Sequence, residues 1–266
     1  MTSFTQARLQ ARFTQARAAG FAAALSVLML GSAAPAQTIL QATIGEPNQK
    51  TTEVSTADVQ RILADGSAIL LDTRKRAEYV AGHIAGAKNV APPATAPASE
   101  YVTAVEKLVG GDKSKALVLY CNGPNCQASK QLSEQLVGAG FTNIRRYQLG
   151  LPMWRTMSGP VEIELEGVLR VYKVDQTAVF FDGRPADEFA KKSLPGTHNV
   201  PADKVKAEGL RGAPTPSNDF NTRIVLFGRD GAQARVLADA LGKTAMQNVS
   251  YFPGTFEELA AAVKAP

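Results

Sequence analysis

The feature that most constrains the fold of this 266-residue chain is an internal repeat. Residues 72–89 and 182–199 align without a gap over eighteen positions. Residue pairs that match at equal spacing are Asp72/Asp182, Arg74/Arg184, Glu78/Glu188, Gly86/Gly196 and Asn89/Asn199, with aromatic residues at Tyr79/Phe189. Similarity of this density indicates a tandem duplication. The chain is therefore expected to fold as two similar units.

Both copies alternate short apolar runs with amphipathic or charged stretches. The first run of each copy ends in an aspartate, which is typical of a buried strand in a parallel sheet. The predicted strands are residues 68–72, 116–120 and 143–147 in the first copy, and 178–182, 223–227 and 248–252 in the second. Because helices separate these strands, the sequence predicts an α/β fold with two tandem domains, each a mainly parallel sheet flanked by helices.

The start of the chain has the composition of a secretory leader. Residues 1–36 contain three arginines and no acidic residue, then an apolar core at residues 21–30, then Ala34-Pro35-Ala36. This pattern predicts a signal peptide that is removed before Gln37. An uncleaved membrane anchor is the alternative, although the core is shorter than the ~20 residues that span a bilayer. We expect a periplasmic protein with no membrane contact after cleavage, while secretion across a single membrane fits the leader equally well.

The remaining sequence divides near residue 160. Residues 157–160 interrupt the repeat, and the acidic stretch 162–166 is interpreted as a connector, so the predicted domains are 37–159 and 160–266. Ser55 predicts the cap of a helix over residues 56–64, whereas the second copy has less room for a counterpart, which is expected to be short or missing. The net charge falls from +5 to +2 without the leader arginines, and no basic face is evident, so nucleic acid is not an expected partner. We expect a monomer.

The loop Cys121-Asn-Gly-Pro-Asn-Cys126 carries the most chemical information. It lies between the predicted strand 116–120 and an amphipathic stretch that begins at Gln127. A thiol at the mouth of a helix, surrounded by converging backbone amides, has a lowered pKa and is often partly exposed. The sequence therefore predicts Cys121 as a nucleophile. Its predicted sulfur-binding donors are the backbone N–H groups of Asn122, Gly123, Asn125, Cys126 and Gln127, because Pro124 has none.

The second cysteine, Cys126, allows three roles. It could form a disulfide with Cys121 that switches the nucleophile off, accept sulfur from it, or fill the first helical turn as a small apolar side chain. A purely structural disulfide explains the pair poorly, because a bridge between residues five apart restrains little of the unfolded chain.

Five motifs in the first copy occur in a fixed order. They are Asp72-x-Arg74, Glu78-Tyr79, Gly82-His83-Ile84-x-Gly86-Ala87-x-Asn89, the cysteine after Leu117-Val118-Leu119-Tyr120, and Gly150-Leu151-Pro152-Met153-Trp154. With their weaker copy in the second half, they resemble the tandem rhodanese-like proteins of the sulfurtransferase family. The resemblance implies that Cys121 takes sulfane sulfur from thiosulfate, a polysulfide or a persulfide. It also implies transfer from a Cys121 persulfide to a thiol or cyanide-like acceptor, without a metal or other cofactor.

The chain departs from the family pattern at three places, which bear on the sulfur donor, on phosphatase activity and on the role of the second domain. The Cys121 loop contains no Arg or Lys, whereas many thiosulfate-using members place a cation there, so an uncharged donor or a polysulfide is as suitable. Gln127 stands where related phosphatases require an arginine, which argues against phosphatase activity. Gly228 aligns with Cys121 in a loop about one residue shorter, so the second domain is expected to be non-catalytic.

The other polar residues of the motifs are interpreted as structural. His83 and His198 are expected to be hydrogen-bonded scaffold rather than bases, and Asp72 with Arg74 a local polar pair at a strand end. The histidines and cysteines show no metal-ligand spacing, so no metal site is expected. Two other functions are left open: a module that binds a sulfur compound or a protein without turnover, and a thiol-disulfide relay through Cys121 and Cys126.

Overall fold

The computed structural model describes residues 38–90, 97–157 and 159–264. The predicted signal peptide, residues 1–36, lies outside these ranges and stays a prediction. Among the helices of the described ranges, none combines the length and the apolar composition that a membrane span requires.

The strands form two five-stranded sheets in which every described pair of neighbouring strands is parallel. The strands of the first sheet are β1 (Thr52–Glu53), β2 (Ile69–Asp72), β3 (Lys88–Asn89), β4 (Leu117–Tyr120) and β5 (Ile144–Tyr147). Those of the second are β6 (Val161–Glu162), β7 (Val179–Asp182), β8 (Thr197–Asn199), β9 (Ile224–Phe227) and β10 (Val249–Tyr251). Their orders, β1-β5-β4-β2-β3 and β6-β10-β9-β7-β8, are the same topology repeated. The predicted α/β fold with two tandem units is confirmed.

Helices flank both sheets. In the first domain they are α1 (Thr56–Asp65), α2 (Arg76–Val80), α3 (Ala98–Leu108), α4 (Gln127–Gly138) and α5 (Gly150–Met157), preceded by a 3-10 turn at Ile39–Gln41. In the second they are α6 (Leu165–Val174), α7 (Ala186–Lys191), α8 (Ala202–Glu208), α9 (Gly231–Leu241) and α10 (Phe256–Lys264). The predicted Ser55 cap is confirmed, since the Ser55 side chain accepts from the Asp58 amide at 3.2 Å.

Two predictions about the start of the second domain were wrong. The stretch interpreted as a connector contains Glu162, the second residue of β6, and the first two residues of α6. Helix α6 has ten residues, as many as α1, so it is neither missing nor shortened. Its buried face consists of Gly167, Val168 and Val171, which follow the acidic residues that suggested a connector.

Each sheet is covered by apolar side chains on both faces, as a parallel sheet requires. In the central strand β4, Val118 and Tyr120 pack into one layer, whereas Leu117 and Leu119 pack into the other. All four side chains are fully buried. The central strand is therefore fixed from both sides up to the residue that precedes Cys121.

The two domains meet in a junction formed by residues 80–86 and 161–167. His83 and Glu162 exchange two backbone hydrogen bonds of 2.9 Å, and the Glu164 amide donates to the Val80 carbonyl at 3.0 Å. A Cβ atom on Gly167 would lie 2.1 Å from the same Val80 oxygen, so only glycine allows this approach. The domains are thus joined through backbone contacts as well as side chains.

The Glu162 carboxylate binds groups from both domains. Its oxygens accept from the Gly86 amide at 3.2 Å and the Tyr251 hydroxyl at 2.9 Å, and lie 3.4 Å from His83 Nε2. Burial alone would raise the pKa of Glu162, but these partners, His83 foremost, lower it to about 2 from a usual 4.5. Because the pKa is lowered in the folded protein, this carboxylate contributes stability above about pH 4.5 that is lost as the pH falls toward 2.

We expect Glu162→Gln to reduce the acid sensitivity of the fold. The thermal unfolding midpoint of the parent should fall more steeply between about pH 5 and 3 than that of the variant, because a neutral amide side chain has no proton to gain. Glu208→Gln, at an exposed end of α8, is the matched control and should keep the slope of the parent. Equal slopes for the parent and Glu162→Gln would contradict this role.

Candidate functional site

Cys121 lies at the carboxyl end of the central strand of the first sheet. Strand β4 ends at Tyr120, the loop of residues 121–126 follows, and α4 begins at Gln127 with Cys126 as its N-cap. The Cys121 carbonyl accepts from the Leu151 amide at 3.0 Å. The loop is thus held between the N-terminus of a twelve-residue helix and the first turn of α5. Such a helix end favours negative charge nearby.

The two cysteines form a disulfide, with their Cα atoms 6.1 Å apart. Cys121 is 3% exposed, whereas Cys126 is partly exposed. The expectation of a partly exposed Cys121 thiol is therefore wrong for this disulfide-bonded form, in which the Cys126 sulfur occupies one side of the Cys121 sulfur. Cys121 has no thiolate until the bond is reduced, and Cys126 is the more exposed of the two residues that a reductant could approach.

The backbone of the loop has one predicted feature and one that was not predicted. Gly123 has φ +106°, in the region that favours glycine, as its place in the loop suggested. The Cys126 amide, a predicted donor to sulfur, donates instead to the Gly123 carbonyl at 3.1 Å. Asn122, Asn125 and Gln127 are exposed beside it. That these amides hold a reduced or persulfidated Cys121 stays a prediction, because the present form is the disulfide.

Gly150 supports the loop through a contact that sequence reasoning missed. It has φ +65°, and a Cβ atom built on it would lie 2.3 Å from the Cys121 carbonyl oxygen and 2.5 Å from the Gly123 nitrogen. The loop backbone rests directly on this glycine. Its place in the Gly150–Trp154 motif was the available signal, but the contact spans a large sequence separation.

Glu78 of α2 is a second residue that sequence reasoning did not place at the site. The Asn122 side-chain amide donates to Glu78 Oε1 at 2.5 Å. A carboxylate therefore lies against the residue that directly follows Cys121. The repeat had marked Glu78 and Glu188 as equivalent, although it gave no reason to connect either with the loop.

A buried polar network lies beneath the strand ends. Arg74 donates to Asp72 Oδ2 at 2.5 Å and to the Gly82 carbonyl at 2.7 Å, and Asp72 also accepts from the Tyr120 hydroxyl at 2.6 Å. This confirms the predicted Asp72–Arg74 pair. Burial and the neighbouring Asp72 carboxylate raise the pKa of Tyr120 well above its usual 10, so its hydroxyl stays protonated and donating. The residue before Cys121 is thereby held in place.

In the second domain, the space beside Gly228, the residue equivalent to Cys121, is filled by the Gln233 side chain. A Cβ atom on Gly228 would lie 2.9 Å from Gln233 Oε1, which accepts from the Arg229 amide at 2.7 Å. The loop between β9 and α9 has three residues, 228–230, where the first domain has six, 121–126. The predicted difference of about one residue was wrong. The side chain of a cysteine at position 228 would therefore clash with Gln233 unless the Gln233 side chain moved.

The two histidines differ in their surroundings. His83 is buried, with Nδ1 3.0 Å from the Tyr79 carbonyl and its ring stacked on that of Tyr79 at 3.7 Å. Its ring contacts, to Tyr79 and Glu162, agree with the predicted scaffold role. His198 is exposed in β8 and makes an edge contact with the Phe181 ring, so the expectation of a similar hydrogen-bonded scaffold was wrong for this residue.

Comparisons with known proteins give one curated relative and several solved structures. An HTH-type transcriptional regulator of Mycobacterium tuberculosis is 29% identical over 119 residues, which cover 45% of this chain and 47% of the regulator. The chain thus spans about half the length of this relative.

Among the solved structures, a thiosulfate sulfurtransferase from Pseudomonas aeruginosa is 21% identical, with 78% of this chain and 44% of that chain covered and a TM-score of 0.34. A 3-mercaptopyruvate sulfotransferase from Escherichia coli is 20% identical, with 77% and 99% covered and a TM-score of 0.35.

The family assignment rests on a match to the protein-family description "Rhodanese-like domain". That description matches residues 55–157 and again residues 170–262, which together are well over half of the chain. The two matched stretches contain the two sheets' central strands and, in the first, the Cys121 loop. The chain therefore belongs to the family of proteins with the rhodanese-like domain and contains that domain twice.

Proposed function

We propose that the chain is a sulfurtransferase that carries sulfane sulfur on Cys121 once the Cys121–Cys126 disulfide has been reduced. The observation that carries this proposal is the position of Cys121 in a rhodanese-like domain, at the end of the central strand and against the N-terminus of α4. The second domain has Gly228 at the equivalent position and takes no sulfur. We place the activity in the periplasm on the composition of the leader alone.

The proposed reaction has two steps and one nucleophile. The Cys121 thiolate attacks the outer sulfur of the donor, the S–S bond of the donor breaks, and the leaving group departs with the electron pair. A persulfide remains on Cys121, and its terminal sulfur is then attacked by a thiol or by cyanide, which restores the thiolate. The N-terminus of α4 favours the negative sulfur in both resting states. The loop amides are the proposed further donors, from Asn122, Gly123, Asn125, Cys126 and Gln127.

A second candidate function is a relay that releases sulfide, and the disulfide favours it. The Cys126 sulfur reaches the Cys121 sulfur within the folded loop. A Cys126 thiolate could therefore attack the inner sulfur of a Cys121 persulfide, so that the disulfide forms and hydrosulfide leaves with the electron pair. This step needs no external oxidant, but each cycle then requires an external dithiol to reduce the disulfide.

The oxidised protein is expected to be inactive in sulfur transfer and to recover with reductant. Transfer from thiosulfate or a polysulfide to cyanide should be absent after exposure to air, because Cys121 is then bonded to Cys126, and it should return after treatment with dithiothreitol. Cys126→Ser is the control, since it cannot form the bridge and should be active in both conditions.

Thiol counting on the same samples makes this test decisive. Two free thiols in the air-exposed parent, or full activity in a parent shown to have none, would contradict the proposed control by the disulfide. If sulfide is released in place of cyanide-trapped sulfur, and Cys126→Ser abolishes that release, the relay is the function.

A further inference from the structure

In each domain a glutamate at the same repeat position contacts the first residue after the Cys121 or Gly228 position, but the two glutamates have different partners. In the first domain, Glu78 accepts from the neutral side-chain amide of Asn122, the residue after Cys121. In the second, Glu188 is in an ion pair with Arg229, the residue after Gly228. Because Glu78 and Glu188 are equivalent in the repeat, the guanidinium of the second domain marks a place for a cation that the first domain leaves without one.

No ion pair holds Glu78 in the described ranges, and the cation that interacts with it electrostatically, Arg74, is buried and already paired with Asp72. The other hydrogen bond of Glu78, at 3.3 Å, comes from the backbone amide of Lys75. The loop of residues 121–126 contains no Lys or Arg. A half-buried carboxylate therefore stands next to the Cys121 loop with only neutral donors.

We propose, on the basis of the sulfurtransferase function above, that Glu78 selects the sulfur donor and that the preferred class is a persulfide of a small aminothiol. The ammonium group of such a donor would lie beside Glu78, next to the Asn122 amide, and would supply the positive charge that the Arg229 guanidinium gives to Glu188. A dianionic donor such as thiosulfate meets the negative charge of Glu78, with no cation in the 121–126 loop to offset it, and is disfavoured.

The sulfur transfer from this donor needs no reactant other than the donor and the Cys121 thiolate. The Cys121 thiolate attacks the outer sulfur of the aminothiol persulfide, the S–S bond of the donor breaks, and the aminothiol leaves as a thiolate that takes a proton from water. Glu78 takes no part in bond making. It is a specificity residue, whose effect depends on the charge of the donor and not on the reactivity of the thiol.

The test compares three donors on the reduced protein: cysteamine persulfide, 2-hydroxyethyl persulfide and thiosulfate. The first two have the same two-carbon chain, which ends in an ammonium group in cysteamine persulfide and in a hydroxyl group in 2-hydroxyethyl persulfide. The rate at which Cys121 gains sulfur, measured by intact mass over time, should be roughly tenfold higher for cysteamine persulfide than for the hydroxyethyl donor, as expected for one close charge pair. Glu78→Gln should remove this preference.

Asn122→Arg should have the opposite effect, because it recreates the ion pair of the second domain. We expect it to raise loading from thiosulfate roughly tenfold and to lower loading from cysteamine persulfide. Arg229→Asn, which makes the reverse exchange in the second domain, is the matched control and should leave all three rates unchanged.

Two failures can be told apart. Loading that is equal for the two persulfides in the parent, or a preference that survives Glu78→Gln, would overturn the selection by Glu78 while leaving sulfur transfer intact. Loading of Cys121 neither from the three donors nor from a polysulfide, in any variant, would overturn the proposed function itself, and this inference with it.

Discussion

Cys121→Ser is expected to abolish sulfur transfer, with a loss on the order of 10³-fold or more. A serine hydroxyl cannot carry a persulfide, and the second domain offers no substitute, because Gly228 stands at its equivalent position and Gln233 fills the space beside it. The transfer rate of the reduced variant, measured with a polysulfide as donor and cyanide as acceptor, gives the result directly.

Cys126→Ser is the matched control for that substitution. Both variants lose the same disulfide and one sulfur atom, so any effect of the bridge on stability is common to them. The reduced Cys126→Ser protein should keep its activity within about tenfold, since the Cys126 side chain takes no part in the two-step transfer and the substitution keeps its backbone amide. Equal losses in the two variants, or substantial activity in Cys121→Ser, would contradict Cys121 as the sulfur carrier.

Gly150→Ala is expected to disrupt the Cys121 loop. An alanine Cβ would lie 2.3 Å from the Cys121 carbonyl oxygen and 2.5 Å from the Gly123 nitrogen, both of which are backbone atoms that cannot rotate away. The loop must shift, and a displacement of the nucleophile on the order of 1 Å lowers catalysis about 10²-fold. The rate of Cys121 loading and the thermal unfolding midpoint of the reduced protein report the two consequences.

Gly66→Ala separates backbone strain from this clash. Gly66 has φ +67°, almost the same as the +65° of Gly150, but no atom lies within 4 Å of a Cβ built on it. Its alanine variant should lose about 1 kcal/mol of stability from the left-handed conformation and none of the activity. If Gly150→Ala behaves like Gly66→Ala in both measurements, the loop does not depend on this contact.

The fold was predictable to the extent that its signals are local. The duplicated motifs and the apolar runs gave the three central strands of each sheet, because a strand buried on both faces must be apolar throughout. Helix α6 was missed since the acidic residues Glu162, Glu164 and Glu166 lie before it and in its first turn. The contact that fixes it, Gly167 against the Val80 carbonyl, joins distant parts of the chain. The edge strands β1 and β6 are only two residues long and have no pattern of their own.

At the candidate site, too, the local features were predictable and the contacts between distant parts of the chain were not. Cys121 was placed correctly at the end of β4 because a strand, a loop and a helix start follow one another in the chain. The supports of the loop could not be derived by spacing: Glu78 reaches Asn122 across 44 residues, and Gly150 contacts the loop from beyond the next strand. The burial of Cys121 is that of the disulfide-bonded form, a redox state that sequence alone leaves open.

Intact mass of the reduced protein after incubation with a polysulfide is the most direct test of the central claim, that Cys121 carries sulfur. The account predicts a gain of one sulfur atom, located by peptide mapping on Cys121, in the parent and in Cys126→Ser but not in Cys121→Ser. An unchanged mass in the parent, or an added sulfur that remains in Cys121→Ser, would contradict it.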